Sequence, residues 1–374
     1  MDASPARPTV TQLRLSAFKS HRRAAFPLAP LTLFAGASGS GKSSVLEVYE
    51  ALARLGAGDE LGEVFDDPAG CIPEQADADA QGRRGFRIGC TVDGPAGPVE
   101  LDLAVQAEPG LRIVGERLTA GGKLLLSTAL RDPGRSTVQA AWHTAGNVPV
   151  TRAPLPDDRL GTALLPLRVA GRTEGQRQVL AAAEQVVVAL RSVFACDPQP
   201  QRMRRPARVG EGRLRRGCDN LAEVLYRTQS ECAIRHKQLV AAARAGCSGP
   251  VDAVQAEELL NGTVQAVLGR GDRSATPVGR LGEGELRYLA LALVLLTGPG
   301  VLAVDPAGEV PPAMQSLTVL ADGFDRSLDG RQTRELVALA AAICGQGHIR
   351  VVGTAAHNSS AREVAGATVV DLSA

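Results

Sequence analysis

None of the seven cysteines (Cys71, Cys90, Cys196, Cys218, Cys232, Cys247 and Cys344) falls in a C-x-x-C pair. Neither a zinc site nor a disulfide framework is written in the chain, and free thiols in a reducing compartment are the reading that remains. No segment reaches the roughly 18 uninterrupted apolar residues that a bilayer span needs. The start MDASPARPTV lacks a basic stretch leading into an apolar one, so the expectation is a cytoplasmic protein with no membrane partner. Net charge is also missing: 41 Lys and Arg against 40 Asp and Glu leave +1. No global field draws the chain to nucleic acid, and any such partner must be met by a local patch. There is no internal repeat, and no sustained heptad pattern supports a long coiled-coil arm.

What is present is a chain of 374 residues, 44% apolar, long enough for two or three lobes with cores of their own. VTQLRLSAF (10–18) alternates as a half-buried strand, and LAPLTLFAG reads as a second strand. KSSVLEVYEALARL follows with Val45, Leu46, Val48, Tyr49, Leu52 and Leu55 at helical spacing. Residues 56–80 read as an acidic surface loop. GFRIGCTVDG, VELDLAVQ, LRIVGERLTAGGKLLLSTAL and TVQAAWH then predict an antiparallel sheet. From Gly175 three runs read as helices: GQRQVLAAAEQVVVALRSVFA, DNLAEVLYRTQSECAIRHKQLVAAARAG and VDAVQAEELLNGTVQAVLG. After Arg280 strands and helices alternate again. The expected segments are 1–172 with the β-rich lobe, a helical insertion over 173–272, and 273–374 completing the first sheet.

Gly36 to Ser43 spell G-x-x-x-x-G-K-S between a strand and a helix. In that context backbone N–H groups wrap an anion at a helix N-terminus, and Gly36, Gly39 and Gly41 let the backbone come close. Lys42 is expected to reach the β- and γ-phosphates of ATP or GTP and Ser43 to hold Mg²⁺. Leu281-Gly282-Glu283-Gly284-Glu285 opens an apolar helix; alone, it also makes a good helix start, with acidic groups matched to the dipole. Further on, an apolar strand ends at Asp322, Asp329 closes SLD before a helix, and the strand IRVVGTAAH ends at His357. A strand-end Asp can hold Mg²⁺ through water, and a His there can sense a γ-phosphate.

In their order these motifs resemble the ATPase heads of ABC type, most closely the SMC/RecF/OLD-like branch. LRLSAFKSHRRAAFPLAPLTLFAGASGSGKSSVLEV is similar to that branch's N-terminal pattern. DPQPQRMRRP and GCDNLAEVLYR look like phrases from small bacterial AAA-type relatives. The resemblance implies an α/β P-loop NTPase, an ABC ATPase head with an antiparallel β lobe and a helical insertion. It implies ATP contacts along Gly36, Ser38, Gly39, Ser40, Gly41, Lys42, Ser43 and Ser44, with Lys19 beside them. A second subunit's nucleotide would meet the signature turn at Gly282, Gly284 and Glu285 and the D-loop Asp329. Asp322 would be the Walker B residue and His357 the switch histidine, so that a homodimer sandwiches two nucleotides.

The departures bear on chemistry. Gly282 stands where the family has the signature Ser, and Gly323 stands where Asp322 should be followed by a catalytic Glu. Asp325, the nearest carboxylate and the remaining catalytic candidate, comes two residues late. Hydrolysis is therefore expected to be slow, with a glutamate at position 323 restoring it. VLAVDPAGE offers a rival metal-side residue, Asp305, followed by Pro306 and, later, Glu309. Asp322 is favoured because the D-loop and the histidine keep register with it.

The stretch QRMRRPARVGEGRLRRG carries Arg202, Arg204, Arg205, Arg208, Arg213, Arg215 and Arg216 against Glu211 alone. Such a patch suits phosphate backbones. With no aromatics interleaved for stacking, a solvated loop or an acidic effector protein suits it as well. The functional expectation is a nucleotide-gated dimerisation switch in DNA maintenance or phage defence. A non-catalytic regulatory subunit and a transporter ATPase are the alternatives.

Overall fold

The computed structural model describes residues 7–144, 150–210, 212–308, 310–311, 314–356 and 359–372. The chain opens with strands β1 (Thr9–Phe18), β2 (His21–Pro27) and β3 (Leu31–Ala35), then helices α1 (Lys42–Ala57) and α2 (Leu61–Val64). Six strands follow: β4 (Arg84–Asp93), β5 (Val99–Glu108), β6 (Arg112–Ala120), β7 (Lys123–Ala129), β8 (Thr137–His143) and β9 (Val150–Pro156). Next come α3 (Gly161–Arg168), α4 (Glu174–Arg191), β10 (Val193–Cys196), α5 (Pro200–Met203), β11 (Ala207–Arg208), α6 (Leu221–Glu231) and α7 (Ala233–Gly246). The last part holds β12 (Ala253–Glu258), β13 (Thr263–Arg270), β14 (Arg273–Pro277), α8 (Glu283–Leu296), β15 (Leu317–Ala321), α9 (Gly330–Cys344), β16 (Ile349–Ala355), α10 (Ser359–Arg362) and β17 (Thr368–Asp371).

Two compact units share the chain: 1–28, 43–193 and 305–316 form the first, and 29–42, 194–304 and 317–374 form the second. The first is built on an eight-stranded sheet of order β2-β1-β4-β5-β6-β7-β8-β9, antiparallel throughout. Val99, Leu101, Leu103 and Val105 alternate onto its buried face, as a one-sided sheet requires. Helix α4 is pinned to the β4–β5 turn by Gln185, whose amide donates to the Val92 and Gly97 carbonyls and accepts from Ala96 N. Glu116 on β6 is fully buried; its carboxylate accepts from Gly161 N and Thr162 N, both at 2.7 Å, and from the Thr162 hydroxyl. It thereby caps the buried amides at the start of α3, which have no partner within the helix. Burial raises its carboxyl above the ordinary carboxylate range, against the pull of these donors.

The second unit carries a five-stranded sheet of order β10-β15-β16-β3-β17, in which the last four strands run parallel. β3 (LTLFA) and β15 (LTVLA) are buried at every position, the pattern of strands covered on both faces. α8 is buried from Leu286 to Leu296, with Arg287 the one charged residue in that stretch. A small antiparallel sheet, β11-β13-β12 with β14 on β13, completes the unit.

Two expectations for the middle of the chain are corrected here. VDAVQAEELLNGTVQAVLG is a hairpin, β12–β13, with Asn261-Gly262 in its turn and Gly262 at φ +72°. The alternation of Val254, Ala256, Val264 and Ala266 prevails over helix propensity once it faces a core. The long run from Asp219 to Gly246 is two helices, broken at Cys232, which is extended (φ −147°, ψ 92°). β2 and β9 are strands that patterning did not mark.

Candidate functional site

The loop after β3 turns through three glycines of positive φ: Gly36 at +152°, Gly39 at +84° and Gly41 at +86°. The last two lie in the region that side chains avoid, so glycine there is a backbone requirement. Ser40 N closes the turn on Ala37 O at 3.2 Å, and α1 begins at Lys42. Lys42 Nζ bridges the loop, donating to Gly36 O at 2.7 Å and Ala37 O at 2.8 Å. Ser38, Gly39 and Ser43 are exposed along it, while Ser40 Oγ is buried without a hydrogen-bond partner. An ammonium held across a Gly-rich loop at a helix start, with a buried, unpartnered hydroxyl in the same loop, fits a phosphate chain.

In the first unit, Lys19 (φ +51°) sits in the β1–β2 turn and pairs with Glu47 of α1 at 2.5 Å. Its charge is thus held beside the first turns of α1.

At the same edge of the parallel sheet, where strands β3, β15 and β16 end, lie the remaining residues of the second unit. Asp322 follows β15; its Oδ1 accepts from the Thr354 hydroxyl at 2.5 Å, and its Oδ2 is 3.7 Å from Arg326. Gly323 turns at φ +64° and donates from N to Thr354 Oγ1 at 2.7 Å. Phe324 N donates to Thr354 O. Asp325, 8% exposed, accepts from Ala356 N with both oxygens, at 2.9 and 3.1 Å. Its visible work is to fasten the loop after β15 to the end of β16. His357 lies outside the described residues.

Sequence reasoning missed Arg287, which no motif marks. Buried at 3% exposure on α8, it donates from Nη1 to Pro198 O at 2.7 Å and from Nη2 to Gly323 O at 3.0 Å. Desolvation, then the nearby Arg326 charge, lower its pKa, with Asp197 at 3.7 Å pulling the other way. The helix that opens at the signature turn thus holds the loop after Asp322.

The signature turn itself is tied into its own unit. Gly282 is the N-cap of α8, and Glu285 accepts from Gly282 N with Oε2 (3.1 Å) and from Ser248 N with Oε1 (2.7 Å). A Cβ at Gly284 would sit 2.3 Å from Ser327 O, whereas one at Gly282 meets only Glu285 Oε2 at 3.7 Å. Position 282 therefore faces open space and position 284 does not. Asp329 is the N-cap of α9, accepting from Gln332 N at 2.7 Å.

Asp305 belongs to the first unit. It is on no strand, its side chain is 88% exposed, and it pairs with Arg191 at 3.0 Å within the first unit. Asp322 stands directly after a parallel strand, β15, and Asp305 does not. Glu309 lies outside the described residues. In the arginine stretch, Arg204 donates to Gly279 O at 2.6 Å and Arg215 pairs with Asp219 at 2.7 Å. Arg202, Arg205, Arg208, Arg213, Arg215 and Arg216 are exposed, and Glu211 lies outside the described residues.

No protein-family model and no curated protein matches the chain. Solved structures do. A crystal structure of an SMC head bound to the C-winged helix domain of ScpA matches with a TM-score of 0.51 at 12% identity, covering 95% of this chain and 92% of that one. The SMC head domain from Thermotoga maritima covers 95% of this chain and 91% of its own, at 12% identity and a TM-score of 0.44. With its parallel sheet, Gly-rich loop and antiparallel lobe, the chain has the α/β fold of an SMC-type ATPase head.

Proposed function

We propose that the chain is an ATP-binding head whose nucleotide gates association with a second copy. The observation that carries this reading is the strand–loop–helix cradle, with Lys42 fixed across it at the sheet edge where Asp322 stands. Parallel α/β sheets bind ligands beyond the carboxyl ends of their strands. The loop amides and Lys42 hold the phosphates. The start of α8, open at Gly282 although that residue's own N–H is taken by Glu285, turns its first-turn amides to the phosphate of a second copy, and two-fold symmetry uses both surfaces twice. ATP supplies the charge that joins the two faces.

Hydrolysis is slow in this account, because a left-handed Gly323 fills the place of the water-polarising carboxylate. The same observation favours a second reading, a non-catalytic subunit that uses nucleotide only to stabilise a complex. Work in DNA maintenance or phage defence in the cytoplasm follows from the resemblance, with the exposed arginines between Arg202 and Arg216 as the surface for nucleic acid or an effector. Light scattering tests the association. Monomers without nucleotide and dimers with ATP are expected, and Gly282→Asp, which keeps a good N-cap while opposing a phosphate, abolishes the shift. A mass that ignores both nucleotide and Gly282→Asp leaves the second reading.

A further inference from the structure

ATP fits its cradle, but Mg²⁺ does not fit the carboxylate meant for it. One oxygen of Asp322 takes the Thr354 hydroxyl and the other faces the Arg326 guanidinium at 3.7 Å. Arg326 Nη1 is also 3.9 Å from Asp197, which stands 3.7 Å from the buried Arg287. Two arginines thus answer two aspartates, and the cluster is neutral before any metal arrives. Asp325 is turned to the end of β16, where both its oxygens accept from Ala356 N.

The position of Arg326 is specific. A Cβ at residue 323 would lie 2.7 Å from Arg326 Nε and 3.0 Å from its Nη2. The guanidinium therefore covers the backbone from which a second carboxylate would spring, and a cation replaces an anion beside Asp322. Gly323 at φ +64° is what lets the arginine fold back so closely.

We propose that Arg326 is the built-in cation of this site, holding at Asp322 the place a divalent metal would take, so that the head binds its nucleotide with little dependence on Mg²⁺. The inference rests on the nucleotide reading above. A positive charge beside a carboxylate stabilises its ionised form, and a metal entering there must compete with an arginine already in place.

The test is calorimetric titration of ATP in excess Mg²⁺ and in EDTA, with wild type, Arg326→Ala and Arg326→Glu, and manganese binding followed by electron paramagnetic resonance as a second readout. Arg326 is half-exposed, so both variants are expected to fold, and thermal melts confirm it. Wild-type affinity should differ little between the two conditions. The ratio of affinities with and without metal should rise about two- to fivefold in Arg326→Ala, the worth of one half-exposed pair, and about tenfold in Arg326→Glu, where the charge is reversed. Manganese binding should strengthen in the same order. ATP binding that strictly requires Mg²⁺ in wild type, with the ratio unmoved by either variant, overturns this inference alone. Absence of ATP binding to wild type in both conditions overturns the nucleotide reading and this inference with it.

Discussion

Placing a glutamate at position 323 is the substitution that the family pattern invites, and the backbone predicts that it fails. Gly323 sits at φ +64°, where a side-chain-bearing residue costs about 1–2 kcal/mol. The new Cβ would also lie 2.7 Å from Arg326 Nε and 3.1 Å from Arg326 Cβ. The guanidinium must move off Asp322 and Asp197, half-exposed pairs worth about 0–1 kcal/mol. The total is about 1–3 kcal/mol, which lowers the melting temperature by about 2–4 °C per kcal/mol in a unit of roughly 200 residues. Gly323→Asn separates the causes, because asparagine tolerates the left-handed region and should melt between wild type and Gly323→Glu. A coupled ATPase assay should show no acceleration from Gly323→Glu, because its side chain runs into the Arg326 guanidinium, which pairs with the new carboxylate. A tenfold or greater gain in turnover with an unchanged melting temperature would refute this reasoning.

Three further outcomes follow from named contacts. Glu116→Gln leaves a buried N–H of Gly161 or Thr162 facing an amide instead of an oxygen, and urea unfolding should show a loss of about 1–3 kcal/mol. Because burial raises the Glu116 carboxyl from its ordinary value of 4.5, its ionised form is the costly one. Stability from this group is therefore complete below about pH 4.5 and is lost as pH rises through the folded value, a trend absent in Glu116→Gln. Gly282→Ser meets no steric barrier (φ −61°) and supplies the missing half of a capping box with Glu285; a gain of a few tenths of a kcal/mol in thermal stability should accompany tighter ATP-dependent association in light scattering. Reversing the exposed Arg205, Arg208, Arg213 and Arg216 to Glu should weaken duplex DNA binding and flatten its salt dependence in anisotropy titrations, with wild-type melting temperature kept.

The parts of this fold that depend on neighbours in sequence were legible. The Gly-rich loop between β3 and α1, the fully apolar strand before Asp322 and the N-cap at Asp329 all announce themselves within about ten residues. The hairpin of β12 and β13 was legible too, through Asn261-Gly262, but small alanines spaced along both strands imitate a helix, and the turn signal was passed over. Cys232 breaks α6 from α7 without a glycine or proline to mark it. β2, with Arg22 and Arg23 among few apolar residues, is a strand because β1 pairs with it. The chemistry around Asp322 was hidden for a different reason. Arg287, Arg326 and Thr354 reach it from α8, from four residues on and from β16, and only the sheet brings them together. The sequence order likewise suggested that Gly284 faces a partner, while the fold packs it against Ser327 O.

Calorimetric titration of ATP into wild type and Lys42→Ala tests the central claim most directly. Lys42 donates two charge-assisted hydrogen bonds across the loop, and its exchange of those partners for phosphate oxygens is worth about 1.5–3 kcal/mol, or roughly 10- to 100-fold in affinity. The account predicts saturable binding to wild type and a loss of that size in Lys42→Ala, with a thermal melt confirming that the variant is folded. Equal affinity of the two proteins, or no binding to either, would contradict it.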